Sequence, residues 1–191
     1  MSIAKQLQNR FTYADYLKWP EDERWELIDG VAYAMAAPGR LHQETVLELG
    51  AQILQQLRGT SCKPYIAPFD VRLAQANETD DRIETVVQPD LAVICDKRKL
   101  DDKGCRGAPD WIIEVLSPST AVKDMDHKRR LYEHYGVKEY WIVHPVDHWV
   151  MVYTLQEQSH YDQYQLHSLD MPTTANLFPE LSIDWDFLKQ E

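Results

Sequence analysis

Residues Gly107–Thr120 read GAPDWIIEVLSPST, and the place of Glu114 within that run decides the fold. The Gly-Ala-Pro and Ser-Pro-Ser-Thr flanks carry turn chemistry, so the middle reads as a short apolar strand. Strand parity puts Ile112, Glu114 and Leu116 on one face and Trp111, Ile113 and Val115 on the other. A carboxylate in such a strand is costly unless it faces water, meets an arginine or shares a site with a cation.

Working upstream, IETVVQPDLAVIC (Ile83–Cys95) reads as a second strand, with Pro89 marking an edge, a bulge or an interruption. Asp90, Ala92 and Ile94 share one of its faces. The 24 residues from Asp90 to Glu114 permit an antiparallel pairing through the charged connection DKRKLDDKGCRG, which would bring both acids to one side. Neighbouring carboxylates repel and each resists desolvation; a hard divalent cation resolves both problems. Asp90 after Pro89 is equally good turn chemistry. Glu26, in RWELIDG, is either a solvent-facing strand residue or an additional metal contact.

Working downstream, a helix from about Thr120 to Tyr135, closed by Gly136, places Lys128, Leu131, Tyr132 and Tyr135 on one stripe. Lys128 either snorkels toward the mouth of the acidic site or belongs to a solvated face with Arg129 and Arg130. Tyr132 is either core or site.

The remaining chain supplies the frame. Thr12 predicts an N-cap for YADYLKW, stopped by Pro20. Asp29-Gly30 predicts a type I′ hairpin within RWELIDGVAYAMA. Leu41–Arg58 has helical spacing, with Val46, Gly50, Ile53, Leu54 and Leu57 on one face. KPYIAPFDVRLA alternates as one half-buried strand, EYWIVHP and WVMVYTL pair, and YDQYQLHS adds a further strand. The expected architecture is a single domain over 1–191 of α/β or α+β class: one mixed central sheet flanked by helices, with an N-terminal β-hairpin.

A net charge of −11 argues against a generic polyanion binder and leaves room for a local basic patch. Cys62, Cys95 and Cys105 form an odd count with no CxxC pair, which predicts three reduced thiols in a cytosolic protein. The chain shows no apolar run of spanning length and no secretory leader, so a cytoplasmic location is expected. A zinc site using His144 and His148 (HPVDH) with cysteines has permissible spacing and no further support.

The stretches WELIDG, HQETVLEL, VVQPDLAVICD, GAPDWIIEVLSPST and DHKRRLYEHYGVKEYWIVHP, in that order, cover most of Tyr13 to Tyr153. They resemble the Uma-two family of putative restriction endonucleases, within the PD-(D/E)-x-K nuclease superfamily. The general superfamily pattern has lysine two residues after the strand acid, where this chain has Leu116. The closer resemblance implies that the lysine has moved to the following helix, at Lys128. It further implies that Glu26 and His42 line the site, with Gln88 as a contact, and that the fold is restriction-endonuclease-like.

The implied reaction is hydrolysis of phosphodiester bonds in DNA, with Mg²⁺ (Mn²⁺ as substitute) held by Asp90, Glu114 and a carbonyl near Val115. Lys128 would act on the attacking water or on the phosphate. An acidic chain that grips DNA needs a dimer cleft, a small basic patch or a partner; a homodimer is expected. The alternative is a non-catalytic nucleic-acid-binding or assembly module that keeps the fold.

Overall fold

A computed structural model describes residues 10–20, 22–75, 77–117, 123–157 and 160–190. The far N-terminus and most of the Ser117–Thr120 turn expected to launch the helix lie outside the described residues. The twelve principal strands are β1 (Trp25–Ile28), β2 (Val31–Ala34), β3 (Lys63–Ile66), β4 (Val71–Arg72), β5 (Val86–Val87), β6 (Leu91–Ile94), β7 (Leu100–Asp101), β8 (Gly104–Arg106), β9 (Trp111–Val115), β10 (Glu139–His144), β11 (Trp149–Thr154) and β12 (Gln165–Ser168). The helices are α1 (Tyr13–Tyr16), α2 (Arg40–Gln56) and α3 (Arg129–Tyr135).

The mixed α+β class is as predicted, but the strands form two six-stranded sheets rather than one. Their orders are β2-β1-β5-β4-β8-β7 and β12-β11-β10-β9-β6-β3. Two expected single strands are each divided between the sheets. KPYIAPFDVRLA contributes β3 to the second sheet and β4 to the first, with Pro68 between them. IETVVQPDLAVIC contributes β5 to the first and β6 to the second, with Pro89 between them. Proline has no N–H to give a ladder, so a strand containing one is readily interrupted there. The charged connection also differs from expectation. It folds into a short 3-10 turn, Lys97–Lys99, and the β7–β8 hairpin.

The second sheet is the central layer. Its parity is as read from sequence: Trp111, Ile113 and Val115 pack with Leu91, Val93, Trp141 and the α2 residues Val46, Leu49 and Ile53. Ile112 and Leu116 face the other way, with Ala92, Ile94, Leu131 and Tyr132. Trp111 and Trp141 meet edge to face at 4.9 Å. On α2 the buried stripe is rotated from the expected one: Leu49 is inside, while Leu54 is 49% exposed. The β9–α3–β10 segment is a βαβ unit, with β9 and β10 parallel; β10 and β11 pair antiparallel as expected.

Local signals held where the chemistry was local. The Thr12 N–H donates to the Asp15 carboxylate (3.1 Å) at the start of α1. Asp29 and Gly30 both have positive φ, 49° and 76°, as a type I′ turn requires.

The thiol prediction is corrected. Cys62 and Cys95 are joined by a disulfide, and Cys105 is a buried free thiol. The register pairs Lys63 with Ile94, so Cys62 and Cys95 lie opposite one another one step further along the ladder. Such cross-strand neighbours cannot be recognised from spacing alone.

Gly104 carries a packing constraint of its own. Its φ is +120°, and a Cβ there would run into the Asp70 carbonyl oxygen, which accepts the Cys105 N–H at 2.8 Å. Gly104→Ala should therefore destabilise the fold by about 2–3 kcal/mol or more, read by denaturant unfolding. A loss within about 0.5 kcal/mol of zero would contradict this close approach.

Candidate active site

The site forms where the chain crosses between the sheets. β6 and β9 pair antiparallel, with Leu91 opposite Ile113, and the next step of that register sets Asp90 opposite Glu114. The Asp90 N–H donates to Glu114 Oε2 (3.3 Å), and the Val115 N–H donates to Asp90 Oδ2 (2.8 Å). Because Pro89 ends one strand and Asp90 precedes the next, the carboxylate stands at the end of the ladder, where its backbone is already turned out of β5.

Glu26 arrives from the other sheet. Parity on β1 puts it with Ile28, on the side that packs toward Ile112 and Leu116. Its Oε1 accepts the Gln88 N–H at 3.1 Å. Gln88 is a junction: its side-chain oxygen accepts from Arg24 (2.9 Å), and its amide NH₂ donates to Asp70 (3.0 Å) and Tyr16 (3.1 Å). His42, in the first turn of α2, lies 3.1 Å through Nε2 from Asp90 Oδ2. Burial pushes the imidazole pKa down, but the Asp90 carboxylate outweighs that and raises it.

Lys128 sits at the centre. It ends a π-helical turn, Lys123–Lys128, that runs into α3. Its ammonium lies 2.8 Å from Glu114 Oε1, 2.9 Å from Glu26 Oε1 and 3.7 Å from Asp124. Only 5% of its side chain is exposed, so it reaches the acids and stops short of the mouth. The Tyr132 hydroxyl, one turn on, donates to the same Glu114 oxygen at 2.7 Å. The seven residues Glu26, His42, Gln88, Asp90, Glu114, Lys128 and Tyr132 singled out from sequence are thus joined by hydrogen bonds and ion pairs, and Val115 touches Asp90 through its N–H.

Sequence reasoning missed Lys123, Asp124 and Asp70. Asp124 lies four residues before Lys128 on the same helical face, a signal that was available. Lys123 forms an ion pair with Glu26 and lies 4.7 Å from the centre of the Tyr33 ring. Asp70 lies between β3 and β4 and joins the site only through the crossing of the sheets.

The electrostatics are those of a crowded acidic centre. Burial raises the Glu114 pKa, Lys128 lowers it, and Asp124, Asp90 and Glu26 raise it again, to about 8. Burial also acts against ionised Glu26, but the Lys128 and Lys123 ammonium groups overcome that and hold it at about 2. Lys128 itself is held well above its ordinary range, its desolvation being outweighed by the surrounding carboxylates. Tyr132→Phe should lose about 1–1.5 kcal/mol of stability, from the removed donor to Glu114. Denaturant unfolding measures it, and an unchanged midpoint would show that the hydroxyl is not so engaged.

The zinc reading finds no geometry. Two of its cysteines are bonded to each other, and His144 accepts the Asp147 N–H at 3.0 Å in its own turn. Among the described residues no group of three or more His, Cys, Asp and Glu side chains could by itself hold a metal ion. No described helix is long and apolar enough to cross a membrane.

Facing acids on neighbouring strands of a mixed sheet are the arrangement of restriction-endonuclease-like proteins; here the lysine stands on the following helix rather than two residues after the strand acid. The family model Uma2, described as "Putative restriction endonuclease", matches residues 13–186, and the chain belongs to that family. A crystal structure from Anabaena variabilis, described as a putative nuclease belonging to DUF820, shares the fold. Its TM-score is 0.73 at 20% identity, covering 93% of this chain and 97% of that one. An uncharacterized protein of Synechocystis sp., slr1290, is 32% identical over 122 residues, or 63% of this chain; the match spans 60% of that relative's length.

Proposed function

We propose that this chain is a metal-dependent endonuclease that hydrolyses phosphodiester bonds in DNA, acting as a single restriction-endonuclease-like domain. The observation that carries the reading is Asp90 facing Glu114 across β6 and β9, with Lys128 between Glu114 and Glu26. The donors are oxygens, which suit a hard cation. Four carboxyl groups, those of Glu26, Asp90, Glu114 and Asp124, surround the two ammonium groups of Lys128 and Lys123, so the centre holds more acidic groups than its own ammonium groups balance. Mg²⁺, or Mn²⁺ in its place, fits that excess, because it takes one or two protein carboxylates and fills its shell with water and phosphate oxygens. Asp90, Glu114 and the Val115 carbonyl would hold it, and when bound it would polarise the scissile phosphate and lower the pKa of a water.

The chain's own groups divide the remaining work. Lys128 and Tyr132 both occupy Glu114 Oε1, which leaves Oε2, with only the long Asp90 contact, for the cation. Lys128 positions Glu114 and Glu26 and, with Lys123, holds Glu26 ionised. His42 and the Val115 N–H orient Asp90 through Oδ2. Lys123 has 22% of its side chain exposed against 5% for Lys128, and supplies the positive charge at the mouth that an incoming phosphate meets.

Supercoiled-plasmid nicking tests this. Cleavage should need Mg²⁺ or Mn²⁺, stop with EDTA and be absent in Asp90→Asn and Glu114→Gln. Full activity in both variants would overturn the assignment.

One observation favours a second reading, a non-catalytic binding or assembly module. The Lys128–Glu114–Glu26 network closes on itself through side chains alone. A melting temperature unchanged by millimolar Mg²⁺ and Mn²⁺ would support that module, since a working site is stabilised by its metal.

We further propose a homodimer. Leu47 and Leu54 on α2 and Ile66 on the edge strand β3 are 64%, 49% and 45% exposed, an apolar surface that a second copy could cover. Sedimentation equilibrium reads the assembly state.

A further inference from the structure

Away from the acidic centre, an aromatic pocket opens beside α1 and the β1–β2 hairpin. It is a cavity of about 320 Å³ lined by Phe11, Trp19, Pro20, Glu23, Trp25 and Ala32. On β1, Trp25 points to the face opposite Glu26, so the pocket is separate from the proposed nuclease site. The rings meet at steep angles. Phe11 and Trp19 are 5.4 Å apart at 84°, and Trp19 and Trp25 are 5.6 Å apart at 65°.

That angle selects the ligand. A flat base stacks on parallel faces and would find one ring at a time here. A compact cation has no preferred plane and gains from every π face turned toward it. The rim adds a full negative charge: Glu23 accepts the Trp25 indole N–H at 3.0 Å, which fixes the carboxylate beside the rings. The nearby cationic side chains are directed elsewhere, Arg10 to Glu84, Lys18 to Asp15 and Arg24 to Gln88.

We infer that Phe11, Trp19, Trp25 and Glu23 form an aromatic cage that binds a small quaternary ammonium of the choline type. A trimethylammonium group fits the aromatic corner, and a hydroxyl donates to Glu23. A betaine, whose carboxylate would face Glu23, is disfavoured. The site stands or falls independently of the nuclease reading, because it shares none of the acidic-centre residues.

The test is a titration of the full chain, followed through the indole N–H resonances of Trp19 and Trp25, with Trp149 as internal reference. Choline should move the two cage signals and bind about tenfold more tightly than 3,3-dimethyl-1-butanol, its uncharged isostere. Glu23→Gln, an exposed substitution that leaves the core intact, should weaken choline about fivefold and the alcohol less than twofold, because glutamine still accepts a hydroxyl but lacks the charge that attracts the cation. Equal binding of choline and the alcohol would reduce the cage to a greasy patch and overturn the inference. So would tighter binding of cytidine or adenosine, or no shift with millimolar choline.

Discussion

Lys128→Met should unfold about 3–5 kcal/mol more easily than the wild type, the range for removing one partner of a buried charge network. Lys128 is 4% exposed, and its ammonium lies within 3 Å of both Glu114 and Glu26. Methionine fills similar volume, so the loss reports charge rather than a cavity. It leaves Glu114 beside Asp124 and Asp90 without its ammonium partner. Glu26 keeps Lys123, so the penalty falls mainly on Glu114. The double variant Lys128→Met/Glu114→Gln should therefore recover a substantial part of the loss. Denaturant unfolding of the wild type, both single variants and the double variant measures this coupling. If Lys128→Met stays within about 1 kcal/mol of the wild type, the ammonium is not buried among these acids. Nicking should vanish in the same variant, because Glu114 is no longer positioned.

Asp90→Asn should lower nicking by at least about a hundredfold, as several kcal/mol of charge stabilisation disappear, and should leave the fold intact. Asparagine keeps an oxygen to accept the Val115 N–H, which reaches Asp90 at 2.8 Å. What it removes is the negative charge opposite Glu114. The metal-induced rise in melting temperature should be lost together with the nicking. Comparing the thermal shift with and without Mg²⁺ separates a lost metal site from a lost fold. Wild-type rates with an unchanged metal shift would remove Asp90 from the reaction.

The sequence carried the site further than it carried the sheets. The parity of Glu114 and Asp90 and the Asp29-Gly30 turn follow from periods of two and from positive φ, which are local constraints. The helical stripe brought out Lys128 and Tyr132, while His42 and Gln88 came through family likeness. Strand membership followed no local rule. KPYIAPFDVRLA has the alternation of one strand, yet its halves lie in different sheets. Nothing near Asp70 marks it as a partner of Gln88, because that contact is made by the crossing of two chain segments.

By itself, the sequence determined the apolar strand around Glu114, the turn chemistry that bounds it, and the residues Asp90, Glu114 and Lys128 that the structure brings together. Only the tertiary structure decided that Lys128 is a buried counter-ion and that Lys123, less buried, also pairs with Glu26. It also decided that Cys62 and Cys95 meet and that three half-buried aromatic rings gather beside the Glu23 carboxylate. The reason is physical: backbone period and steric rules act over a few residues, whereas burial and charge pairing depend on what distant segments bring within about 3 to 6 Å.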